Sequence, residues 1–297
     1  MIEYDSPGSE LSSGHSRPLL SVVIAARNPP PDWVPVRCET DVCQPDRTLR
    51  MQDVEFVLVD DASTNDDARA MADNLATLAP TRFLKRRVSS GIGDARYLGI
   101  SHATGRYVLF ADADDTVLIP AILNVARVAS ACHWDAVHFL STTTAWGSRF
   151  ASTSNVGGCD EHLPPHRYRR LTCLLLKRSS LWRFLFRLEF ITDHAQVLSG
   201  GSLGEDLLAM LELSGVIREV PSIPVICYVH HLGVPGSASS SPPNSAVKTL
   251  RRDLAHVSLS RGPLDVRLTA MWWIVKTIGV QSFRRAQRTL RMQSPAH

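Results

Sequence analysis

The chain has no C-x-x-C pair, no internal repeat, no secretory leader and no apolar run long enough for a bilayer, and each absence removes a class of protein. Its six cysteines (38, 43, 132, 159, 173 and 227) are scattered. The spacing of Cys38 and Cys43 is at most half a zinc site and no second half follows, so reduced, mostly buried thiols in a cytoplasmic protein are expected. The first eighteen residues are Ser, Gly, Pro and charge, which reads as a mobile tail rather than a leader. A membrane span needs roughly 18 to 20 apolar residues; the most apolar late segment, Met271 to Val280, is too short and contains Lys276. The expected protein is soluble, or at most peripheral on the inner membrane face. A net charge of +3, with no aromatic-basic surface motif, gives no case for nucleic acid.

What is present is an ordinary globular composition, 44% hydrophobic and 21% charged. Leu19 to Ala26 is a β-branched run that stops at Arg27-Asn28 and three prolines, as a buried strand ending in a loop does. Val54 to Val59 is a second strand, closed by Asp60-Asp61-Ala62-Ser63, after which helical spacing runs from Asp67 to Ala79. Arg82 to Arg86 reads as a third strand, and Gly91-Ile92-Gly93 turns into a helix from about Asp94 to Ala103. Arg106 to Ala111 is a fourth strand and ends at Asp112-Ala113-Asp114-Asp115. Strands alternating with helices predict a doubly wound, parallel sheet. Ligands bind such sheets at the carboxyl ends of the strands, so the loops at Ala25 to Asn28, Asp60 to Ser63 and Asp112 to Asp115 should converge.

The later chain is less regular. Ile119 to Ala131 reads as a helix, Trp134 to Leu140 as a strand, and Arg167 to Phe190 as helical at least in its first half. Gly204-Glu205-Asp206 opens another helix, Ser222 to Val229 is a strand, and Ala238 to Ser245 is a Ser/Pro linker. Lys248 to Met292 is a basic helical stretch opposed only by Asp253 and Asp265.

Three carboxylates in four residues repel unless water or a cation screens them, and hard oxygen ligands suit Mg2+ or Mn2+ bridging nucleotide phosphates. The plain alternative is an acidic, helix-capping turn. Asp60 and Asp61 divide between capping the next helix and accepting hydrogen bonds from a ribose or base. Arg96, one turn into its helix, can reach the same crevice, whereas the Gly-x-Gly before it lacks the Lys-Ser/Thr of a phosphate cradle. Glu205 and Asp206 are either N-capping acids or a general base. His230-His231 is either a strand-end surface pair or a contact to a diphosphate or metal.

Taken in order, these stretches resemble glycosyltransferase family 2, the inverting enzymes of GT-A fold, and within it the capsular and cell-wall polysaccharide branch. The resemblance is carried by Ser21 to Ile24, Glu55 to Thr64, Gly91 to Ile100, Ala103 to Asp115, Ser180-Leu181-Trp182 and Gly204 to Leu208. It implies a GT-A catalytic domain over 19–240, with a nucleotide-binding half (19–115) and an acceptor half (116–240). A flexible tail (1–18) and a basic helical extension (241–297) complete the expected division. It also implies that Ala25 and Arg27 lie against the nucleobase, that Asp60 or Asp61 with Arg96 holds base and ribose, and that Asp112 and Asp114 form the Asp-x-Asp pair. Asp114 would then ligate Mn2+ or Mg2+, Asp112 the ribose or metal, and Asp206, ahead of Glu205, would be the general base. The donor would be a nucleoside-diphosphate sugar, most readily a UDP-sugar, and the acceptor a saccharide, a lipid-linked chain or a small metabolite, receiving one sugar at a time.

The chain departs from the family where Ala26-Arg27-Asn28 runs into prolines, where no clear helix follows Pro31, and at Tyr97, which stands where Asn is common. Two readings compete with transfer: a sugar-nucleotide-binding protein without activity, and a nucleotidyltransferase, whose Gly-rich basic signature after the first strand is missing. The basic C-terminal stretch also has two readings. One packs Trp272, Trp273 and Ile274 inward on the catalytic domain; the other lays the stretch on anionic lipid.

Overall fold

The computed structural model describes residues 2–4, 17–38, 51–148, 166–171, 174, 180–198, 205–235, 264, 267, 268, 271, 272 and 275. The Gly200 to Gly204 loop, the Ala238 to Ser245 linker, Cys43, Cys159, Cys173, Trp273 and Ile274 lie outside these residues.

The chain begins with β1 (Ile2–Tyr4), so three residues expected in a mobile tail instead form a strand. β2 (Leu20–Ala26) and, after β3 (Val36–Arg37), β4 (Val54–Asp60) follow. Every residue of β2 and β4 is buried, as in central parallel strands covered on both faces. Next come α1 (Asp67–Ala76), β5 (Thr81–Arg86), α2 (Ile92–His102) and β6 (Tyr107–Asp112). β5, β4, β2 and β6 lie side by side in that order, all parallel, and β1 closes the outer edge antiparallel to β5.

Beyond β6 the sheet changes character. β7 (Thr116–Leu118), α3 (Ile119–Ala131), β8 (Ala136–Ala145), β9 (Arg167–Arg170) and β10 (Phe184–Arg187) follow. The chain then forms α4 (Leu188–Asp193), α5 (Glu205–Ser214) and β11 (Glu219–Leu232). β10 inserts antiparallel between β6 and β8; β11 runs parallel to β8, with β7 antiparallel on its other side and β3 beyond. The stretch from Arg167 expected to be helical opens as a strand instead, Arg167–Arg170 pairing with Ser222 to Glu219 of β11, while the described residues Leu171 and Leu174 beyond it are helical. Four exposed side chains in a row leave no apolar stripe for a helix to bury, and a free sheet edge takes them instead.

Alternation along the strands sends Val22, Ile24, Phe56 and Leu58 to one core with α1 and α3, and Val23, Val57, Val59, Val108 and Phe110 to another with α2, α4 and α5. Helix α2 approaches the sheet closely at Gly99, where an added Cβ would lie 2.3 Å from Val23 Cγ1. That approach, one turn after Arg96, fixes how deep Arg96 sits. Of the three described cysteines only Cys227 is buried, so the expectation of mostly buried thiols fails at Cys38 and Cys132. No helix among the described residues is long and apolar enough to cross a membrane.

Candidate active site

Parallel register brings the predicted loops together. Ala26 of β2 pairs with Asp60 of β4, and Ala25 pairs with Asp112 of β6, so the three strand ends finish at one level of the sheet. Chain turns at these ends need unusual backbone: Asn28 and Ala62 both have positive φ, 48° and 62°.

The two aspartates at the end of β4, Asp60 and Asp61, are loop organisers. Asp60 is 1% exposed; its Oδ1 accepts the Ser63 amide at 2.8 Å, and Lys85 Nζ lies 3.9 Å from Oδ2. Asp61, also buried, accepts Ser89 Oγ at 2.6 Å and the amides of Ser90 and Gly91 at 3.1 Å. Arg86 Nη1 stands 3.5 Å from Oδ1 as an ion pair without a hydrogen bond, beside the three hydrogen bonds that this carboxylate accepts. Gly91 has φ 102°, a conformation that suits glycine, and this lets its amide turn onto Asp61 at the start of α2. Exposed Arg27 donates to Ser89 Oγ at 3.2 Å and so extends the same chain to the surface. Ala25, near the end of β2, is 7% exposed.

Arg96 joins the later pieces. It is 1% exposed, yet its Nη2 donates to Asp112 Oδ1 at 2.9 Å and its Nη1 to Asp206 Oδ1 in a very short contact. Asp206, second residue of α5, also accepts the Leu181 amide at 3.2 Å through Oδ2. A single guanidinium fork therefore ties the end of β6 to the start of α5. Both carboxylates keep some solvent contact, 24% for Asp112 and 20% for Asp206. Glu205 opens the same helix, and its side chain lies outside the described residues.

The acidic cluster divides by burial. Asp112 and Asp114 are half-buried while Ala113 and Asp115 are buried. Asp115 faces inward and accepts Tyr228 Oη at 2.9 Å, His230 Nδ1 at 3.0 Å and the His231 amide at 2.8 Å. Tyr228 Oη in turn accepts the Asp112 amide at 3.0 Å. Burial, then the nearby Asp115 and Asp112, push the Tyr228 phenol well above its ordinary range, so it remains a donor to Asp115. The bond to Asp115 raises His230, outweighing its burial. Trp182 stacks on Tyr228 at 4.5 Å and on His230 at 5.5 Å, backing both rings. The two histidines thus part company: His230 turns to Asp115. His231 lies 3.0 Å from Thr116 Oγ1 and edge-on to Trp33 and Trp146.

Asp112 carries the electrostatic strain of the site. Burial raises its carboxyl to about 7; Arg96 opposes this, and Asp115, Asp206 and Asp114 add to it. Among the described residues Asp112, Asp114, Asp115 and Asp206 act on one another around the Arg96 guanidinium, with His230 against Asp115. Among the described residues no group of three His, Cys, Asp or Glu can by itself hold a metal. A hard cation here would rest on Asp112 and Asp114 and take its other ligands from water and phosphate, the common arrangement for Mg2+ at nucleotides. The carboxylate donors fit such an ion.

Asp115, Tyr228, Trp182 and the split histidine pair were not singled out by the sequence as a unit. Asp115 carries a signal as the third acid of the cluster, Trp182 as part of Ser180-Leu181-Trp182 and the histidines as a strand-end pair; Tyr228 carries none, and the inward turn of Asp115 is set by β11.

Comparison with known proteins gives two findings. The family described as Glycosyl transferase family 2 matches residues 21–152, a span that includes Asp60, Asp61, Arg96 and the acidic cluster. Among solved structures, S. aureus TarS (residues 1–349) in complex with UDP-GlcNAc superposes with a TM-score of 0.59 at 14% identity, covering 86% of this chain and 71% of that one. The same TarS fragment in complex with UDP gives 0.54 at 14% identity, with 86% and 70% covered. Identities this low establish a shared fold, the mixed α/β sheet described above.

Proposed function

We propose that this chain, whose residues 21–152 match the glycosyl transferase family 2 model, moves one sugar from a nucleoside-diphosphate sugar to a hydroxyl acceptor with inversion, with Asp206 as general base. The observation that carries this reading is the Arg96 fork, which brings Asp112 and Asp206 to one place although Arg96 and Asp206 are 110 residues apart in the chain.

In this reading the nucleotide lies across the ends of β2, β4 and β6, against Ala25 and Arg27. Asp61 and Asp60 act by shaping the loops around base and ribose, and Arg96 holds Asp112 toward the ribose. A UDP-sugar is the favoured donor, because the similar TarS fold is known with UDP-GlcNAc and with UDP. Asp112 and Asp114 would hold Mn2+ or Mg2+, which when bound supplies positive charge to the diphosphate. Asp206 accepts the proton of the acceptor hydroxyl as its oxygen bonds to the anomeric carbon. The bond from that carbon to the diphosphate breaks on the opposite face, and the nucleoside diphosphate leaves with the electron pair. Arg96 and the Leu181 amide fix the Asp206 carboxylate for this task; Glu205 is the second candidate. The acceptor is a saccharide, a lipid-linked chain as in capsule or cell-wall synthesis, or a small metabolite, reached from the cytoplasmic side.

The test is Asp206→Asn, followed by calorimetric titration with UDP and UDP-sugars in Mn2+ or Mg2+ and by product assay. Donor affinity should hold while turnover falls by roughly 100- to 10,000-fold. Transfer at the wild-type rate would remove Asp206 from the mechanism. Failure of every nucleotide to bind the wild-type chain would remove the donor.

A further inference from the structure

A pair of tryptophans stands beside the acidic cluster. Trp33, in the strap between β2 and β3, donates its indole Nε1 to the Asp115 carbonyl at 3.1 Å, one residue from Asp114. Trp146 directly follows β8, and its amide donates to the Leu232 carbonyl at the end of β11 at 2.9 Å. The two indoles meet at 4.6 Å, tilted by 50°, and both pack edge-to-face with His231, at 5.0 and 5.8 Å. Parallel register sets His230 beside Thr143 and His231 beside Thr144, so the pair adjoins the strand positions that hold the Asp115 partner His230.

Both indoles are half-buried. The surface around Trp146 is open: among the described residues, a Cβ added at Gly147 or at Gly233 would meet nothing within 4 Å, and Leu232 is 54% exposed. The strand ends here, residues 139–148 and 232–235, hold no charged side chain, and Ser141, Thr142, Thr143 and Thr144 supply hydroxyls. The strap adds one acid and one base, Asp32 and Arg37, both exposed. A neutral, hydroxyl-rich surface with an aromatic face has a definite complement. The C–H bonds on one face of a pyranose ring bring partial positive charge to the negative face of an indole, while its hydroxyls exchange hydrogen bonds with Ser and Thr. A phosphate finds no cation on these strand ends, and an aliphatic chain would leave the hydroxyls unanswered. We infer that Trp33 and Trp146 form an aromatic platform that seats a neutral saccharide ring of the acceptor beside the acidic cluster. This rests on the transfer reading above and narrows its acceptor to a glycan.

The experiment is a ligand-observed NMR titration of the full-length chain with methyl β-glucoside, methyl N-acetyl-β-glucosaminide, cellobiose and chitobiose, run with and without UDP and Mn2+. Calorimetry measures UDP separately. At least one saccharide should bind the wild type, with the C–H protons of a ring face saturated most strongly. Trp146→Leu keeps an apolar side chain without a π face, and should weaken that saccharide by roughly tenfold or more with UDP affinity unchanged. Trp146→Tyr, which restores an aromatic face, should recover most of the loss. Tighter binding of octyl than of methyl β-glucoside assigns the ring to a lipid-borne chain, and equal binding to a free glycan. The inference falls if no saccharide binds the wild type, or if Trp146→Leu binds it as the wild type does. It also falls if Trp146→Leu and Trp146→Tyr both lose melting temperature and UDP affinity together with the saccharide, which makes the indole pair a clasp for the strap. UDP that fails to bind the wild type overturns the donor instead, and the titration without nucleotide still reads the platform.

Discussion

In the parallel half of the sheet, buried carboxylates find their partners within a short stretch of chain. Asp60 reaches three residues ahead to Ser63, Asp61 about thirty to Ser89, Ser90 and Gly91, and Glu55 about fifty to Thr104 and Gly105. In the mixed half the reach is more than twice as long: Asp115 finds Tyr228, His230 and His231 some 113 to 116 residues away, and Arg96 finds Asp206 at 110. The first half therefore assembles its end of the crevice from one contiguous segment. The second acquires its chemistry only when α5 and β11 have docked. The matched family span, residues 21–152, covers the first kind of construction and stops before the second.

The join between the halves is the place to break. Arg96→Met keeps much of the side-chain volume but leaves Asp112 and Asp206 facing each other without their shared cation. Removing one partner of a buried ion pair typically costs about 3–5 kcal/mol, and here two carboxylates lose it at once. The denaturant midpoint should fall accordingly with little change in the slope, and turnover should be lost. Arg96→Lys should restore little, because one ammonium cannot reproduce a planar fork to two acids. Wild-type stability for Arg96→Met would show that the halves hold together without the bridge.

A second substitution loads the parallel half alone. The Glu55 carboxylate, 3% exposed, accepts Ser21 Oγ at 2.6 Å, Thr104 Oγ1 at 2.8 Å and the Gly105 amide at 3.0 Å. A Cβ at Gly105 would meet Ser21 Oγ at 2.5 Å, the Ser21 amide nitrogen at 2.7 Å and the Leu20 carbonyl carbon at 2.9 Å. Two of those atoms are backbone of a fully buried central strand and cannot swing aside. Gly105→Ala should cost about 3 kcal/mol, the upper end for overpacking, as read from chemical denaturation. A cost below 1 kcal/mol would show that the strand ends yield and that the parallel half is less rigid than its packing implies.

The same difference in reach explains what could be read from the residues. β2, β4, β5 and β6 were legible because fully buried parallel strands are continuous apolar runs bounded by polar turns, and the crevice followed from where those runs stop. The roles of Asp112 and Asp206 as neighbours came only through a family resemblance, since nothing local to Gly204-Glu205-Asp206 shows what it faces. β10 was hidden: Phe184-Leu185-Phe186 is short and apolar, and such runs do not distinguish strand from helix. β9 was misread because four exposed residues, three of them arginine, carry no period of either kind, and only pairing with β11 makes them a strand. Asp115 resembled its neighbours in sequence and differs from them by its tertiary partners alone. Of the two readings of the basic C-terminal stretch, the one that turns Trp272 inward does not hold at that residue, which is 55% exposed, whereas Met271 beside it packs against the core.

The mixed half also has a titratable weak point. His138 of β8 is 4% exposed, bonds Ser222 Oγ of β11 at 2.8 Å, and rests 5.3 Å from the Phe184 ring of β10. Burial, helped by Arg183 and Arg169, lowers its imidazole from 6.5 to about 3. The unfolded chain takes up this proton as pH falls below 6.5, whereas the folded chain refuses it until about 3. The contribution is therefore complete above 6.5 and is lost progressively through the window down to about 3. By about pH 5 the loss from this one group amounts to about 2 kcal/mol. His138→Phe fills the same space and removes the titration. It forfeits the Ser222 bond by an amount that does not depend on pH, so the slope of stability against pH is the readout rather than its level. Denaturant unfolding between pH 7 and 5 should give a shallower slope for His138→Phe than for the wild type. Identical slopes would show that His138 is not a source of the fold's acid sensitivity.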